Sequence, residues 1–174
     1  MQPLRIAITG TPGSGKTSFC SGLEFQTISV LDLAIEHDAV VQDTLNAEVV
    51  EIDIDYLNQN LSKKWQKPPD KILLIDGHLS HNLPVDCVIL LRCRPDILEE
   101  RLKKRNWNQE KILENVEFEL LSSIINELND NALILELDNS NDTISELQEQ
   151  FFNWFENDKK TRMLNLDWIK ELHT

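Results

Sequence analysis

Positive charge is scarce in this sequence, and no long apolar run is present. Its 174 residues include 17 lysines and arginines against 30 aspartates and glutamates, a formal net charge of −13. Because basic side chains hold phosphate backbones, this balance argues against general DNA binding. No stretch approaches the roughly 20 apolar residues of a membrane span, and no signal-like region precedes the first predicted strand. We therefore expect one soluble, intracellular domain without a membrane partner.

Cysteine is also sparse. The three cysteines, Cys20, Cys87 and Cys93, are odd in number, lack Cys-x-x-Cys spacing and have apolar neighbours. This pattern predicts buried free thiols and favours neither disulfides nor a zinc site.

The most specific motif is the segment 10–17, Gly-Thr-Pro-Gly-Ser-Gly-Lys-Thr. It satisfies the phosphate-loop pattern Gly-x4-Gly-Lys-Ser/Thr and follows a predicted strand at 4–9, a context that favours a nucleotide loop over a chance glycine turn. Its glycines allow backbone N–H groups to approach phosphates, and the following helix favours anions at its start. We predict that Lys16 contacts the β- and γ-phosphates of a nucleoside triphosphate and that Thr17 ligates the accompanying Mg²⁺. No guanine-reading Asn-Lys-x-Asp segment follows, which argues against a GTPase.

A second informative stretch is the apolar run 71–76, which predicts a central parallel strand ending in Asp76. An aspartate in that place holds Mg²⁺ beside a phosphate loop, directly or through water. Asp76, His78 and His81 together suggest a transition-metal site, but the ligands are few and a triphosphate already requires Mg²⁺. We assign His78 to positioning water or phosphate, and His81 to a loop.

The chain from residue 87 to 105 concentrates arginines near the predicted site. A buried strand at 87–91 is followed by Arg92, which we expect to border the same crevice as the phosphate loop, since ligands bind at the carboxyl ends of parallel strands. A helix from Pro95 to Arg105 places Arg101 and Arg105 four residues apart, and we treat both as phosphate ligands. Its lysines are explained by Glu–Lys pairs at the same spacing.

Residues 105–109 interrupt the helical pattern and predict a lid, because they join two helices close to the phosphate crevice. Trp107 either stacks on a base or packs beneath the turn. A long helix then follows, with these residues on one face: Leu113, Val116, Leu120, Ile124 and Leu128. The polar and then apolar tail, 157–174, is expected to dock on the body or on a partner.

Together these motifs resemble the adenylate kinase isoenzyme 6 family. The resemblance is carried by these segments: the phosphate loop, Asp76-Gly77-His78, Leu91-Arg92, Glu100-Arg101-Leu102 and Lys104-Arg105-Asn106-Trp107-Asn108. Asp167-Trp168 resembles the ending of archaeal members. The resemblance implies an α/β P-loop NTPase of nucleoside monophosphate kinase type, with a five-stranded parallel sheet flanked by helices. It also implies one domain, 1–174, with a monophosphate-binding insertion at about 30–52 and a short lid at about 103–112.

The resemblance further implies conversion of ATP and AMP, or another monophosphate, to diphosphates, together with ATPase activity. Members act in late maturation of the small ribosomal subunit and its rRNA, with a basic platform protein of that subunit as partner, which suits an acidic chain. The alternative is chiefly an ATPase assembly switch with little kinase activity. A cytoplasmic location follows for an archaeal chain, and a nuclear one is open for a eukaryotic chain.

Site residues are carried over by position. The implied nucleotide ligands are Gly13, Ser14, Gly15, Lys16, Thr17, Ser18 and the lid arginine Arg105. The implied catalytic residues are Lys16, Asp76, His78 and Arg105, and the implied Mg²⁺ ligands are Thr17 and Asp76. The chain departs from the family at Ile35, where eukaryotic members have arginine, and at Asn106, where the lid has glycine. Its first helix and loop are also about four residues shorter.

Overall fold

A parallel five-stranded sheet forms the centre of the computed structural model, which describes residues 3–41, 50–157 and 159–172. The strands are β1 (Arg5–Thr9), β2 (Gln26–Ser29), β3 (Leu73–Asp76), β4 (Cys87–Arg92) and β5 (Ile134–Asp138). Their spatial order is β2-β3-β1-β4-β5, and every neighbouring pair is parallel. The predicted fold class is confirmed.

Helices flank this sheet. Those in the described residues are α1 (Lys16–Ser21), α2 (Val30–Glu36), α3 (Ile54–Lys64), α4 (Pro95–Lys104), α5 (Gln109–Leu120), α6 (Ile144–Asn157) and α7 (Trp168–Leu172). Two 3₁₀ turns, Ser80–Asn82 and Ser123–Glu127, complete the regular structure there. Within the ranges given above, no helix combines the length and apolarity needed to cross a membrane.

The central strands are apolar on both faces because each face is covered. In β4, Ile89 and Leu91 pack with Phe19 of α1 and Phe151 of α6. The alternate residue Leu90 faces the other way, toward the 3₁₀ turn after α5. This period of two explains why the strands read as continuous hydrophobic runs.

The predicted long helix after the lid is wrong in length. Helix α5 ends at Leu120, and Ser122 adopts a left-handed φ of 51°, which stops the helix before Ile124. Leu113, expected on the apolar face, is 47% exposed. The apolar spacing continued past the break because the 3₁₀ turn packs its own residues on the sheet.

The tail docks on the body within the residues that the structure describes. The backbone N–H of Arg162 donates to the carbonyl oxygen of Ile134 at 2.8 Å, and the N–H of Glu136 donates to the carbonyl oxygen of Arg162 at 2.9 Å. Trp168 is only 1% exposed. The tail therefore docks on the body, as predicted, along the edge strand β5.

The three cysteines are free and buried, as predicted. Burial raises the pKa of each of their thiols to about 12. Of the predicted monophosphate-binding insertion, 42–49 lies outside the described residues. On either side of it, Val40 and Ile52 pair as an antiparallel bridge.

Candidate nucleotide-binding site

The phosphate loop joins the end of β1 to the start of α1, at the edge where the carboxyl ends of the strands meet. Inside it, Ser14 N–H donates to the carbonyl oxygen of Thr11 at 3.0 Å, closing a turn. Lys16 Nζ donates to the carbonyl oxygens of Gly10 and Thr11 at 2.8 and 3.1 Å. The Lys16 ammonium group is thus held against the loop's own backbone.

Two glycines of the phosphate loop are required by close contacts with neighbouring protein atoms, which the motif alone did not predict. Gly10 and Gly15 adopt φ values of 140° and 100°. A Cβ at Gly10 would collide with the carbonyl oxygen of Leu91, and one at Gly15 with the side-chain amide of Asn139. These two glycines therefore let neighbouring protein atoms approach the loop, in addition to the close phosphate approach that the motif predicts.

The Ser14 hydroxyl is a further indication that the loop binds an anion. Ser14 is fully buried, and its hydroxyl has no hydrogen-bond partner in the described part of the chain. A buried unpaired hydroxyl is costly, and a phosphate oxygen would supply an acceptor.

Thr17 and Asp76 face each other across the sheet edge. Thr17 Oγ1 donates to Asp76 Oδ2 at 2.7 Å. Both are hard oxygen donors, the type that Mg²⁺ prefers, and together they leave most coordination positions to phosphate and water. Within the described ranges, no group of three or more His, Cys, Asp and Glu side chains is placed to hold a metal by itself. The donor set therefore suits a nucleotide-bound Mg²⁺ rather than a dedicated metal centre.

Two ionisable groups in the site have lowered pKa values. Burial lowers the pKa of Lys16 to about 8, although the Asp76 carboxylate acts in the opposite direction. His78 lies at the exposed mouth of the site, yet surrounding protein desolvates its ring and, with Lys16, lowers its pKa. The neutral imidazole is therefore favoured at neutral pH.

His81 lies in the connection between β3 and β4, as predicted, and its side chain is buried there, at 1% exposure. It lies in the Ser80–Asn82 turn, and its Nδ1 is 2.9 Å from the Thr9 hydroxyl. Its Nε2 is 3.3 Å from Glu127 Oε2 and 3.2 Å from Asn82 Nδ2. Burial lowers the pKa of His81, and Glu127 opposes that shift.

The segment 105–108 joins α4 to α5 beside the phosphate loop. Asn106 has a φ of 57°, the left-handed conformation that glycine adopts freely and asparagine tolerates. Trp107 borders the site and also packs on the cluster of Leu98 and Ile112. The ammonium group of Lys111 also lies over the Trp107 ring, with Nζ 4.4 Å from the ring centroid. Trp107 therefore both packs on this cluster and makes a cation–π contact.

Arg92 does not border the crevice, contrary to prediction. Its side chain is fully buried and pairs with Glu119 at 2.6 Å and with Glu136 at 2.9 Å. Sequence position at a strand's carboxyl end predicted a ligand, but two distant glutamates bind the guanidinium instead.

Arg101 is likewise not a phosphate ligand in this geometry. Its guanidinium donates to the carbonyl oxygen of Asn139 at 2.8 Å, and Asn139 Nδ2 donates to the carbonyl oxygen of Ser14 at 2.7 Å. Arg101 therefore supports the loop through Asn139. The sequence offered no signal for Asn139, because its partners lie more than a hundred and nearly forty residues away.

One cavity of 680 Å³ gathers most of the predicted residues. It is lined by every residue of the phosphate loop except the buried Ser14, and by Ser18, Asp76, Gly77, His78, Leu79, Arg105, Trp107, Lys111, Glu114, Asn115, Phe118, Ile124 and Glu127. The part of the lining from Glu114 to Glu127 forms a wall that was not singled out by any motif. The arrangement can hold a polyanion against Lys16 and Arg105, with room beside it for a second reactant.

Comparisons with known proteins agree with this geometry. Residues 6–122 match the family model described as an AAA domain. The chain is 37% identical over 168 residues to a protein named "Putative adenylate kinase" from Pyrococcus abyssi, covering 94% of this chain and 90% of that one. A protein of the same name from Archaeoglobus fulgidus is 35% identical over 175 residues, covering 96% and 93%.

Among solved structures, the shikimate kinase from Bacteroides thetaiotaomicron superposes with a TM-score of 0.55 at 15% identity, covering 89% of this chain and 99% of that one. At such low identity the likeness concerns the fold alone.

Proposed function

We propose that this chain, which belongs to the adenylate kinase-like family of those archaeal relatives, transfers the γ-phosphoryl group of ATP to a nucleoside monophosphate. The observation that carries the proposal is the cavity in which Lys16, the Thr17–Asp76 pair and Arg105 line one space. The archaeal relatives' shared name supports the choice of reaction.

In this reaction the chain's own residues would neutralise and orient the phosphate groups of ATP. Lys16 and Arg105 would neutralise the phosphate oxygens, and the loop amides would orient the β- and γ-phosphates. Thr17 and Asp76 would hold Mg²⁺, which when bound would neutralise phosphate charge. We assign the segment 103–112 to a lid that closes over ATP.

The acceptor side is assigned to the segment 30–52. On α2, Ile35 is 57% exposed, so the position at which eukaryotic members have arginine presents an apolar side chain to solvent. We propose that a nucleobase or ribose, rather than a phosphate, contacts Ile35, since an alkyl side chain cannot pair with an anion.

A second activity, ATP hydrolysis, is favoured by the cavity wall that residues 114–127 form. That wall carries the carboxylates of Glu114 and Glu127 beside Phe118, and an anionic acceptor would be repelled there. Water is not repelled, and His78 lines the same cavity as that wall and Lys16. We propose that His78 orients the attacking water in the hydrolytic reaction.

The biological role that we propose is assembly of the small ribosomal subunit and its rRNA. The formal net charge of −13 supports a basic protein partner, for which a platform protein of that subunit is the candidate. Nucleotide state would then change the affinity for that partner.

The kinase proposal is tested by measuring ADP and inorganic phosphate formed from Mg-ATP, with and without AMP. Transfer gives two ADP per ATP consumed and no phosphate, whereas hydrolysis gives one ADP and one phosphate. We expect AMP to accelerate turnover, and Lys16→Ala to abolish it. Lys63→Ala, an exposed lysine of α3 outside the cavity and outside the segments assigned to the lid and the acceptor, is the matched control and should leave turnover unchanged.

His78→Ala separates the two activities. We expect it to reduce phosphate release while transfer to AMP continues. Slow turnover that ignores AMP and releases phosphate would overturn the kinase assignment in favour of an ATPase.

The partner proposal predicts salt-sensitive binding of a purified basic small-subunit protein, with an affinity that differs between the ATP and ADP states. Binding that is equal with and without nucleotide would contradict the assembly role.

A further inference from the structure

A cluster of fully buried polar side chains lies directly behind the phosphate loop. Thr11, Arg92, Glu119, Glu136 and Trp168 are each 0% or 1% exposed, and we call them the Glu119 cluster. They come from the loop, from β4, α5 and β5, and from the carboxyl-terminal α7. The cluster therefore joins the tail to the nucleotide site through one set of contacts.

Glu119 is the centre of this cluster. Its Oε1 accepts hydrogen bonds from Arg92 Nε at 2.6 Å and from Trp168 Nε1 at 3.1 Å. Its Oε2 accepts from Thr11 Oγ1 at 2.5 Å. One carboxylate thus fixes a loop side chain with one oxygen and a tail side chain with the other.

The tail reaches this place along the edge of the sheet. After Arg162 pairs with β5, the N–H of Leu164 donates to Glu136 Oε2 at 2.6 Å. The other Glu136 oxygen accepts from Arg92, whose guanidinium carbon lies 5.7 Å from the Trp168 ring centroid. Arg92 therefore holds both glutamates, and each glutamate also holds the tail.

Thr11 connects the cluster to the nucleotide loop. Its side chain is fixed by Glu119, and its carbonyl oxygen accepts both the Ser14 N–H that closes the loop and the Lys16 ammonium. A displacement of the Thr11 backbone would therefore alter the loop turn and the position of the Lys16 side chain.

We propose that Trp168 is a positioning residue for the phosphate loop, acting through Glu119 and Thr11. Its indole N–H orients the Glu119 carboxylate, which in turn holds Thr11 in the conformation that binds phosphate. The tail is then part of the nucleotide site although it does not line the cavity. The inference rests on the proposed use of ATP by the loop.

The chain offers a matched control. Trp154 of α6 is also buried, at 6% exposure, and its Nε1 donates to the carbonyl oxygen of Lys160 at 2.7 Å. It packs on the other face of the sheet from α5. Trp168→Phe and Trp154→Phe each delete one indole N–H and keep an aromatic ring, but only the first hydrogen bond leads to the loop.

The experiment measures the dissociation constant of Mg-ATP and the thermal midpoint for the full chain and both variants. We expect both variants to lose thermal stability, while only Trp168→Phe weakens ATP binding, by roughly five- to twentyfold. Equal ATP affinity in the two variants would overturn the inference.

A second pair tests the same path without changing the tail. Thr11→Val removes the hydroxyl and should weaken ATP binding, whereas Thr11→Ser keeps it and should restore binding. In the Thr11→Val background, Trp168→Phe should have no further effect on ATP affinity, because the path is already cut. A Thr11→Val protein that binds ATP like the unmodified chain would refute the proposal.

Lys16→Ala separates this inference from the function on which it rests. If the unmodified chain does not bind ATP better than Lys16→Ala, the proposed function itself fails. If it does and the tryptophan variants bind alike, only the role of the tail fails.

Discussion

Two ion pairs of equal length in this protein should differ several-fold in their contribution to stability. The Arg92–Glu119 and Lys103–Glu99 pairs both have an N···O distance of 2.6 Å. Both side chains of the first pair are 0% exposed, whereas those of the second are 54% and 34% exposed. We predict that Arg92→Met destabilises the fold far more than Lys103→Met, although both remove a cation at the same distance.

The expected magnitudes follow from what each substitution leaves behind. Without Arg92, the carboxylates of Glu119 and Glu136 stay buried without their cation, and the Ser122 hydroxyl and the Glu119 carbonyl oxygen also lose a partner. Removing one partner of a buried pair costs about 3–5 kcal/mol. Glu99 remains in water, so Lys103→Met should cost at most about 1 kcal/mol.

Urea unfolding followed by tryptophan fluorescence and by circular dichroism measures this difference. With a slope of about 2 kcal/mol per molar urea, Arg92→Met should lower the midpoint by about 1.5–2.5 M and Lys103→Met by no more than about 0.5 M. Coincident transitions from the two methods support a two-state comparison. Equal midpoints for the two variants would refute the argument that burial, rather than distance, sets the strength of these pairs.

Three further perturbations test other parts of the structure. A thiol reagent at pH 8 should label the cysteines slowly in the native state, because burial raises their pKa values to about 12, and rapidly after unfolding. Fast labelling of the native protein would contradict the burial of the thiols. Because thiols in the unfolded chain have a pKa of about 8.5, the free energy of unfolding should fall as pH rises above that value. Chemical unfolding at pH 7.5 and at pH 10 measures this decrease. Asn106→Gly should keep the thermal midpoint, while Asn106→Val should cost about 1–2 kcal/mol at its φ of 57°, and equal midpoints would argue against that backbone conformation. Phe151→Ala, in the centre of the α1–α6 core at 0% exposure, should cost about 3–5 kcal/mol in chemical denaturation, and a smaller loss would mean that the neighbouring rings collapse into the space.

The features predicted well from sequence are those that local chemistry determines. The loop from Gly10 to Thr17 needs a fixed spacing of glycines and a lysine, and it lies between a strand and a helix in the structure as predicted. The run ending in Asp76 is apolar because it is a central strand, and its end lies within hydrogen-bonding distance of Thr17. Thr17 and Asp76 lie close together because β1 and β3 are parallel, so that the carboxyl ends of both strands meet at the same edge of the sheet.

Residues whose partners lie far along the chain could not be placed in the same way. Arg92 was expected to border the crevice because ligands bind at the carboxyl ends of parallel strands. Glu119 and Glu136, which bind it, lie 27 and 44 residues away. The helix predicted beyond Leu120 failed for another reason, since apolar spacing continues through a 3₁₀ turn that also faces the core.

The Glu119 cluster is better explained by geometry than by stability. Burying one cation with two carboxylates requires desolvation that their attraction barely offsets, and apolar side chains of similar volume often serve a fold equally well. Apolar side chains, however, could not hold the Thr11 hydroxyl in one orientation, nor the turn that Thr11 closes with Ser14. A loop that must present several amides and one lysine to a phosphate tolerates little displacement. A rigid polar cluster behind the loop would limit that displacement. That the same carboxylate also accepts the N–H of Trp168 makes the end of the chain part of this support.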